Sequence, residues 1–398
     1  MSWSRVATIG LSLVIATLSA AAPVRAGLTY TGVNVAGAEF GQTSLPGTYN
    51  THYTYPTAAE VDYYVGKGMN TFRLPVRWER LQQSQNAALN AAELGRLNTF
   101  VNYATGKGAH VVIEPHNFAR YYPGTDFQTS TTGVIGSATV PNASFADFWS
   151  RVATQYKSNN RVVFNLMNEP ANVNTDQWVG SANAAIAAIR NAGAGNLILV
   201  PGTRWTGAWT WNNSVTWGRS NAAAMLDIVD PLAVDNIAFD VHQYLDNDGS
   251  GTSTQIGTNA NPDNTDIGVQ RLTTFTSWLH ANNRRGFLGE FAVANSRVGT
   301  GATQVGDETL VKMLDYLEGH DDVWLGWAWW AGGPWWGEYM FTLDPTNVGA
   351  ANQGADRAAM GVLQPYLTAV PEPAGAVVIA AACGWLALSR GSRRSGQA

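Results

Sequence analysis

The sequence predicts an α/β fold in which a single (β/α)8 TIM barrel forms one large domain. Its 398 residues exceed a typical domain, but single barrels with insertions commonly reach this size. Short apolar runs alternate with longer amphipathic stretches, which is the pattern of parallel strands joined by helices. The alternation repeats eight times, and this number favours closure into a barrel over an open doubly wound sheet.

The predicted strands are short and rich in β-branched and aromatic residues. In chain order they are Tyr30–Val35, Thr71–Val76, His110–Pro115, Val162–Met167, Leu197–Pro201, Ile237–His242, Gly286–Phe291 and Val323–Trp329. The predicted helices cover about 57–67, 91–106, 143–157, 174–191, 220–227, 267–283, 306–319 and 355–366. Four long irregular segments, 37–56, 118–142, 202–219 and 245–266, each follow a strand. We therefore expect them to wall a cleft on the barrel face where active sites lie.

The N-terminal residues have the composition of a targeting segment. An apolar run from Ala7 to Ala22 follows Arg5 and precedes Val24-Arg25-Ala26, whose small residues suit a signal peptidase. The run is shorter than the roughly 20 residues that cross a bilayer. We expect residues 1–26 to be a signal peptide and the protein to be secreted.

The C-terminal residues 369–398 form a second targeting segment. Val370-Pro371-Glu372-Pro373 precedes a run of small and apolar residues, Ala374–Leu388, and then three arginines, Arg390, Arg393 and Arg394. This arrangement resembles PEP-CTERM sorting signals, which implies cleavage near Pro-Glu-Pro and transfer to the cell surface or extracellular matrix. A simple tail anchor with cytoplasmic arginines is the alternative. The barrel domain is then expected at residues 27–368.

Composition restricts the classes of ligand. Charged residues make up 13% of the chain, about half the usual share of about 25%, and the net charge is −5. The barrel region has no basic run, so we expect no nucleic acid partner. Sixteen Trp, 14 Tyr and 13 Phe instead suit flat neutral ligands such as sugar rings. We expect a monomer that meets the membrane through its C-terminal segment alone.

Polar and aromatic side chains at the predicted strand ends are placed to form a site. They are Arg73, His116, Asn117, Asn168, Glu169, His242, Tyr244, Glu290 and Trp330. Glu169 and Glu290 are the glutamates at the ends of the fourth and seventh predicted strands. Cleavage of a glycosidic bond needs one carboxyl that donates a proton and one ionised carboxylate, about 5 to 5.5 Å apart in a retaining enzyme. We expect these two glutamates to form that pair.

Seven runs carry a specific resemblance. They are Gly32-Val33-Asn34, Phe72-Arg73-Leu74-Pro75, His116-Asn117-Phe118-Ala119-Arg120, Phe164-Asn165-Leu166-Met167-Asn168-Glu169-Pro170, Asp240-Val241-His242-Gln243-Tyr244-Leu245-Asp246, Gly289-Glu290 and Leu325-Gly326-Trp327. In this order they resemble the strand-end motifs of glycoside hydrolase family 5, and most closely its endo-β-1,4-glucanase subfamily known from fungal cellulases. Fungal members carry disulfides, whereas this chain has a single cysteine, Cys383.

The resemblance implies a role for each site residue. Glu169 would be the acid/base and Glu290 the nucleophile, with no cofactor or metal. Arg73 would hold Glu290 ionised and Tyr244 would orient it. The remaining supporting roles concern the sugar in the −1 subsite: Asn168 would bind its 2-hydroxyl, His116 and His242 would line the subsite or tune Glu169, Asn117 would support it, and Trp330 would form its floor.

Some of these residues have other interpretations. Arg73 could be a structural charge inside the barrel, and the histidines could be core residues. His116, His242 and Glu290 could suggest zinc, but the sequence has no His-Glu-x-x-His motif. Asp246–Gly257 has oxygen-bearing residues at alternate positions, as in a calcium loop, but lacks the final glutamate. Glu114 is expected to lie deeper on the third strand and to support the site.

The substrate expected from the resemblance is a β-1,4-glucan, cut internally. Trp205 and Trp209, in the loop after the fifth strand, are expected to stack on its sugar rings. The same machinery could act on β-mannan, xyloglucan or mixed-linkage glucan, because subsite contacts set that choice. A catalytically silent, surface-displayed carbohydrate-binding protein is the alternative outside enzymes, although such a protein would not need both glutamates.

Overall fold

The computed structural model describes residues 27–121, 132–213, 217–232, 236–299 and 305–367. The predicted signal peptide and the predicted C-terminal sorting segment lie outside these residues. Within the described residues, no helix combines the length and the apolar composition needed to cross a membrane.

The described part of the chain contains a closed barrel of eight parallel strands, which confirms the predicted fold. The strands are β1 (Tyr30–Val35), β2 (Thr71–Val76), β3 (His110–Pro115), β4 (Val162–Asn165), β5 (Ile198–Pro201), β6 (Ile237–His242), β7 (Gly286–Phe291) and β8 (Trp324–Gly332). Each strand pairs with its neighbours in this order, and β8 pairs with β1. A two-residue hairpin, Gly257–Thr258 with Asn261–Pro262, lies outside the barrel.

Helices follow the strands in the order the sequence predicts. They are α1 (Ala58–Lys67), α2 (Trp78–Leu81), α3 (Ala91–Gly106), α4 (Asn142–Tyr156), α5 (Thr175–Asn191), α6 (Asn221–Ala224), α7 (Ile267–Ala281), α8 (Val305–Glu318) and α9 (Ala358–Leu363). The short helix α2, directly after β2, was not predicted, since one helical turn is too short to show a periodic pattern.

Two predicted strand ends are wrong. Strand β4 ends at Asn165 rather than Met167. Beyond it the backbone leaves the extended conformation and becomes left-handed at Glu169, whose φ is 39°. Strand β8 continues to Gly332, which pairs with Val35. Trp330 therefore lies within β8 instead of following it.

The alternation of side chains along each strand sorts them into two environments. One set, such as Ile113 and Phe164, belongs to the large core that also contains helix residues. The opposite set forms a smaller apolar cluster inside the barrel, with Val112, Val163 and Ala238. Farther along the same strands, that inward face becomes polar. This polar layer supports the mouth of the barrel, and its members include Asn34, Arg73, Glu114, Asn165 and Asp240, all buried.

Glycine is required at the two seams of the barrel beside β1, where this strand pairs with β2 and with β8. A Cβ atom at Gly32 would lie 1.8 Å from the carbonyl oxygen of Thr71, and one at Gly326 would lie 1.8 Å from that of Tyr30. The barrel therefore closes through two contacts that no larger residue allows.

Candidate active site

Glu169 and Glu290 meet at the carboxyl-terminal mouth of the barrel. Each offers a carboxylate oxygen to a cluster with an imidazole nitrogen of His242, and these atoms all lie within 4.8 Å of one another. Glu169 follows β4 and itself has a left-handed backbone conformation, whereas Glu290 lies in β7. This separation is close to that of the two carboxyl groups in a retaining enzyme. It is too short for an inverting enzyme, in which the two carboxyl groups lie farther apart to leave room for a water molecule.

Glu290 is held by two donors. Arg73 donates from Nη1 to Oε1 at 2.9 Å, and the Tyr244 hydroxyl donates to Oε2 at 2.8 Å. Burial raises the pKa of Glu290, while the positive charges of His242 and Arg73 oppose that shift. Both hydrogen bonds favour the ionised carboxylate, because a donated hydrogen interacts more strongly with a charged carboxylate oxygen than with a protonated carboxyl group.

Glu169 has a different environment. Its Oε1 lies 2.7 Å from Nδ1 of His242, and its side chain is 16% exposed, against 5% for Glu290. Burial lowers the pKa of His242, but three neighbouring carboxylates outweigh burial and raise it to about 10. They are Glu290, Asp240 and Glu169. His242 is therefore a cation at neutral pH and donates to the more accessible glutamate.

A chain of hydrogen bonds fixes Asn168 beside the pair. Its Oδ1 accepts from Nη2 of Arg73 at 2.8 Å, and its Nδ2 donates to Nε2 of His116 at 3.2 Å. Nδ1 of His116 must then carry the proton, and it lies 3.1 Å from Oε2 of Glu114. Burial and the charge of Arg77 lower the pKa of His116, so the ring is neutral. One N–H of the Asn168 amide remains for a ligand.

Trp330 lies against His116 in the site, whereas Asn117 binds Glu79. The half-buried ring of Trp330 stacks on His116, with 5.6 Å between centroids and 19° between planes. Asn117 is buried, its Oδ1 accepting from the backbone of Trp78 at 3.0 Å and its Nδ2 donating to Glu79 at 2.8 Å. Asn117 therefore supports the start of α2 and does not join the carboxylate pair.

Trp205 and Trp209 line a cavity of about 480 Å³ that also contains Glu169, His242 and Tyr244. Both indoles are more than two-fifths exposed. Three consecutive residues, 204–206, adopt left-handed backbone conformations, with φ of 61°, 55° and 50°. Left-handed non-glycine residues persist only where the surrounding structure holds them. This unusual turn carries Trp205 in the wall of the cavity.

Two buried residues of the site received no role from the sequence. Asn34 accepts from Arg73 at 2.7 Å and donates to the carbonyl of Gly289, so it links the arginine to the strand of Glu290. Asp240 lies beneath His242, 3.7 Å from its Nε2, and accepts from Asn165 at 2.6 Å. Their inward position in strands was the signal that could have found them.

Side chains that were considered as zinc or calcium ligands already have other partners in the structure. The guanidinium of Arg73 lies 2.9 Å from Glu290, and its permanent positive charge opposes the binding of a metal ion by this carboxylate. In the Asp246–Gly257 loop, the buried carboxylate of Asp246 accepts from the backbone of Gly251 and Thr252. That carboxylate already organises its own loop.

Comparison with known proteins gives consistent matches. The family model described as "Cellulase (glycosyl hydrolase family 5)" matches residues 33–333. Endo-beta-1,4-glucanase A of Emericella nidulans is 38% identical over 358 residues, covering 89% of this chain and 98% of that protein. Endoglucanase 3 of Humicola insolens is 38% identical over 327 residues, covering 82% and 75%.

Solved structures show the same likeness. The endo-beta-1,4-glucanase Xac0029 from Xanthomonas axonopodis pv. citri is 42% identical, with a TM-score of 0.76, and covers 87% of this chain and 100% of that one. XacCel5A, solved in complex with cellopentaose, is also 42% identical with a TM-score of 0.76, covering 85% and 99%.

Proposed function

The chain belongs to glycoside hydrolase family 5, the cellulase family, and from this premise we propose that it is a retaining endo-β-1,4-glucanase. The observation that carries the proposal is the pair Glu169 and Glu290, whose oxygens lie within 4.8 Å and whose surroundings differ. A double displacement needs two such carboxylates, one held ionised and one able to exchange a proton.

In the first step Glu290 attacks the anomeric carbon of the −1 sugar. As the new carbon–oxygen bond forms, the bond to the leaving sugar breaks, and Glu169 gives its proton to the leaving oxygen. Arg73 and Tyr244 keep the attacking carboxylate ionised and aligned. Cationic His242 stabilises Glu169 once that residue has become negative.

In the second step Glu169, now ionised, takes a proton from water. The oxygen of that water attacks the anomeric carbon, displaces Glu290 and restores both carboxyl groups to their starting states. Two inversions give overall retention of configuration. The free amide hydrogen of Asn168 is placed to bind the 2-hydroxyl of the −1 sugar, a contact that strengthens in the transition state.

The cavity with Trp205 and Trp209 lies beside the proposed acid/base. Because Glu169 protonates the departing oxygen, this side receives the leaving sugars, and the two indoles offer apolar faces for them. Trp330 would support the sugar on the other side of the scissile bond. We place the enzyme outside the cell, in keeping with the predicted signal peptide, and the predicted sorting segment would retain it at the cell surface.

The first test is reducing-sugar release by residues 27–368 from carboxymethylcellulose, barley mixed-linkage glucan, xyloglucan and mannan, with Glu290→Ala in parallel. We expect cleavage of the two linear glucans and an inactive variant. Proton NMR of the first product should show the β-anomer, and viscosity should fall faster than reducing ends appear. Preference for mannan or xyloglucan would overturn the substrate, and binding without cleavage would favour the silent carbohydrate-binding protein.

A further inference from the structure

A buried arginine lies behind the aromatic wall of the leaving-sugar side. Arg271, on α7, is 5% exposed, and its guanidinium carbon lies 5.0 Å from the centre of the Trp209 indole. The indole itself is 41% exposed and lines the cavity that contains Glu169. The cation therefore covers part of a side chain whose remaining surface faces the cleft.

The same guanidinium joins two further segments. Nη1 donates to the carbonyl oxygen of Tyr244 at 2.6 Å, and Nη2 donates to that of Asn247 at 3.2 Å. Both residues belong to the loop that follows β6. Arg271 thus connects α7, the β6 loop and the Trp209 indole, which otherwise come from separate parts of the chain.

The Trp209 indole is confined from other directions as well. Its backbone nitrogen donates to Oε1 of Gln243 at 3.0 Å. A Cβ atom at Gly249 would lie 3.1 Å from the indole nitrogen, so the β6 loop passes close to the edge of the ring. Without the guanidinium, the ring and this loop would both lose their common contact.

From this geometry we propose that Arg271 is a positioning residue that sets the affinity for sugars on the leaving-group side by holding Trp209 and the β6 loop. The inference rests on the proposed function. Arg271 does not reach the reacting atoms, and Tyr244 keeps a separate ring contact with Phe341, at 6.0 Å between centroids. The effect should therefore appear in binding of leaving sugars rather than in the chemical step.

The test compares two substrates in the purified protein. Cellohexaose places sugars against Trp209, whereas 4-nitrophenyl β-cellobioside leaves a nitrophenyl group that needs no sugar subsite there. For Arg271→Met we expect KM for cellohexaose to rise about tenfold, in the range of a cation–π contact, with kcat nearly unchanged. The specificity constant for the aryl cellobioside should change less than about threefold.

Three comparisons make the result decisive. Trp209→Ala should raise KM for cellohexaose similarly, and the double variant should add little to it, because both changes remove one unit. Arg271→Lys keeps the charge and should give a smaller increase. Arg190→Lys is the control for loss of a buried arginine, since Arg190 pairs with Asp230 away from the cleft; it should lower Tm without changing the ratio between the substrates.

Equal losses on both substrates, unchanged kinetics, or additive effects of Arg271→Met and Trp209→Ala would each overturn the inference. If Arg271→Met does not fold, the Arg271→Lys variant decides by the same ratio. Absence of hydrolysis by the wild-type protein would overturn the proposed function itself, and the inference with it.

Discussion

Glu290 and Glu169 carry the same carboxyl group in two different hydrogen-bonding environments. Glu290 receives two hydrogen bonds from groups that remain protonated, Arg73 and Tyr244. Glu169 faces cationic His242 and is the more exposed of the two. At the residue scale, the proposed roles of nucleophile and acid/base therefore rest on the neighbours of the two glutamates rather than on the glutamates themselves.

Tyr244→Phe should reduce kcat by about 10- to 100-fold, the range expected for loss of one hydrogen bond to a charged group. Burial and the adjacent charge of Glu290 raise the pKa of Tyr244 well above its ordinary value, so the hydroxyl stays protonated and donates throughout the working pH range. The phenyl ring would keep its contact with Phe341. Steady-state kinetics on a soluble glucan would measure the loss, and an unchanged kcat would show that the hydroxyl does not assist Glu290.

Glu169→Ala should lose about 10²- to 10⁴-fold in activity on cellohexaose, because the leaving sugar needs a proton. The leaving group of 2,4-dinitrophenyl β-cellobioside needs no proton, so the glycosyl-enzyme should form quickly. Its hydrolysis should then be slow, because no base activates the water. Stopped-flow absorbance should show a burst of dinitrophenolate. Glu290→Ala serves as the control without a burst; a burst in that variant instead would exchange the two assigned roles.

At the scale of elements, β1 depends on two glycines that allow the neighbouring backbones to approach. Gly32 faces the carbonyl of Thr71, and Gly326 faces that of Tyr30. Because β1 carries Asn34, which binds both Arg73 and the strand of Glu290, the packing of these seams also positions the site.

Gly32→Ala should destabilise the fold by about 3 kcal/mol or more, since the added methyl group meets backbone rather than a movable side chain. Gly95→Ala is a matched control in the exposed middle of α3, where a Cβ atom meets nothing within 4 Å. It should stabilise by roughly 0.5 to 1 kcal/mol. Urea denaturation would measure both, and equal stabilities for the two variants would contradict the seam interpretation.

At the scale of the whole molecule, several buried carboxyl groups favour their protonated forms. Burial raises the pKa of Glu39, Glu60 and Glu114 to about 7, and that of Asp344 to about 6. Between the ordinary pKa, 4.5 for the three glutamates and 3.8 for Asp344, and the raised pKa of the folded state, the folded chain binds protons that the unfolded chain has released. The free energy of unfolding therefore falls as pH rises through this window and stays reduced above it.

Glu60→Gln should weaken this pH dependence. Its Oε2 accepts from the backbone of Thr57 at 2.5 Å at the start of α1, and an amide oxygen can accept the same hydrogen bond. Between pH 5 and 8 the variant should lose less stability than the wild type, by up to about 3 kcal/mol. Urea denaturation at both pH values gives the difference, and parallel pH curves for the two proteins would contradict it.

The sequence by itself determined the barrel, the order of its elements and the position of both glutamates at strand ends. Periodicity and strand-end position are local properties, readable without knowing which strands meet. It also indicated Arg73, His242 and Tyr244 as neighbours of the pair, since parallel strands bring their carboxyl ends to one face.

Only the tertiary structure decided which side chains touch. In the folded chain Asn117 binds Glu79, and β8 continues past Trp330. Asn34 lies against Gly289, 255 residues away in the chain. The tertiary structure also brings Arg271 behind Trp209. The physical reason is that hydrogen bonds and ring contacts depend on distances of a few ångströms between segments remote in sequence, and local patterns do not encode those distances.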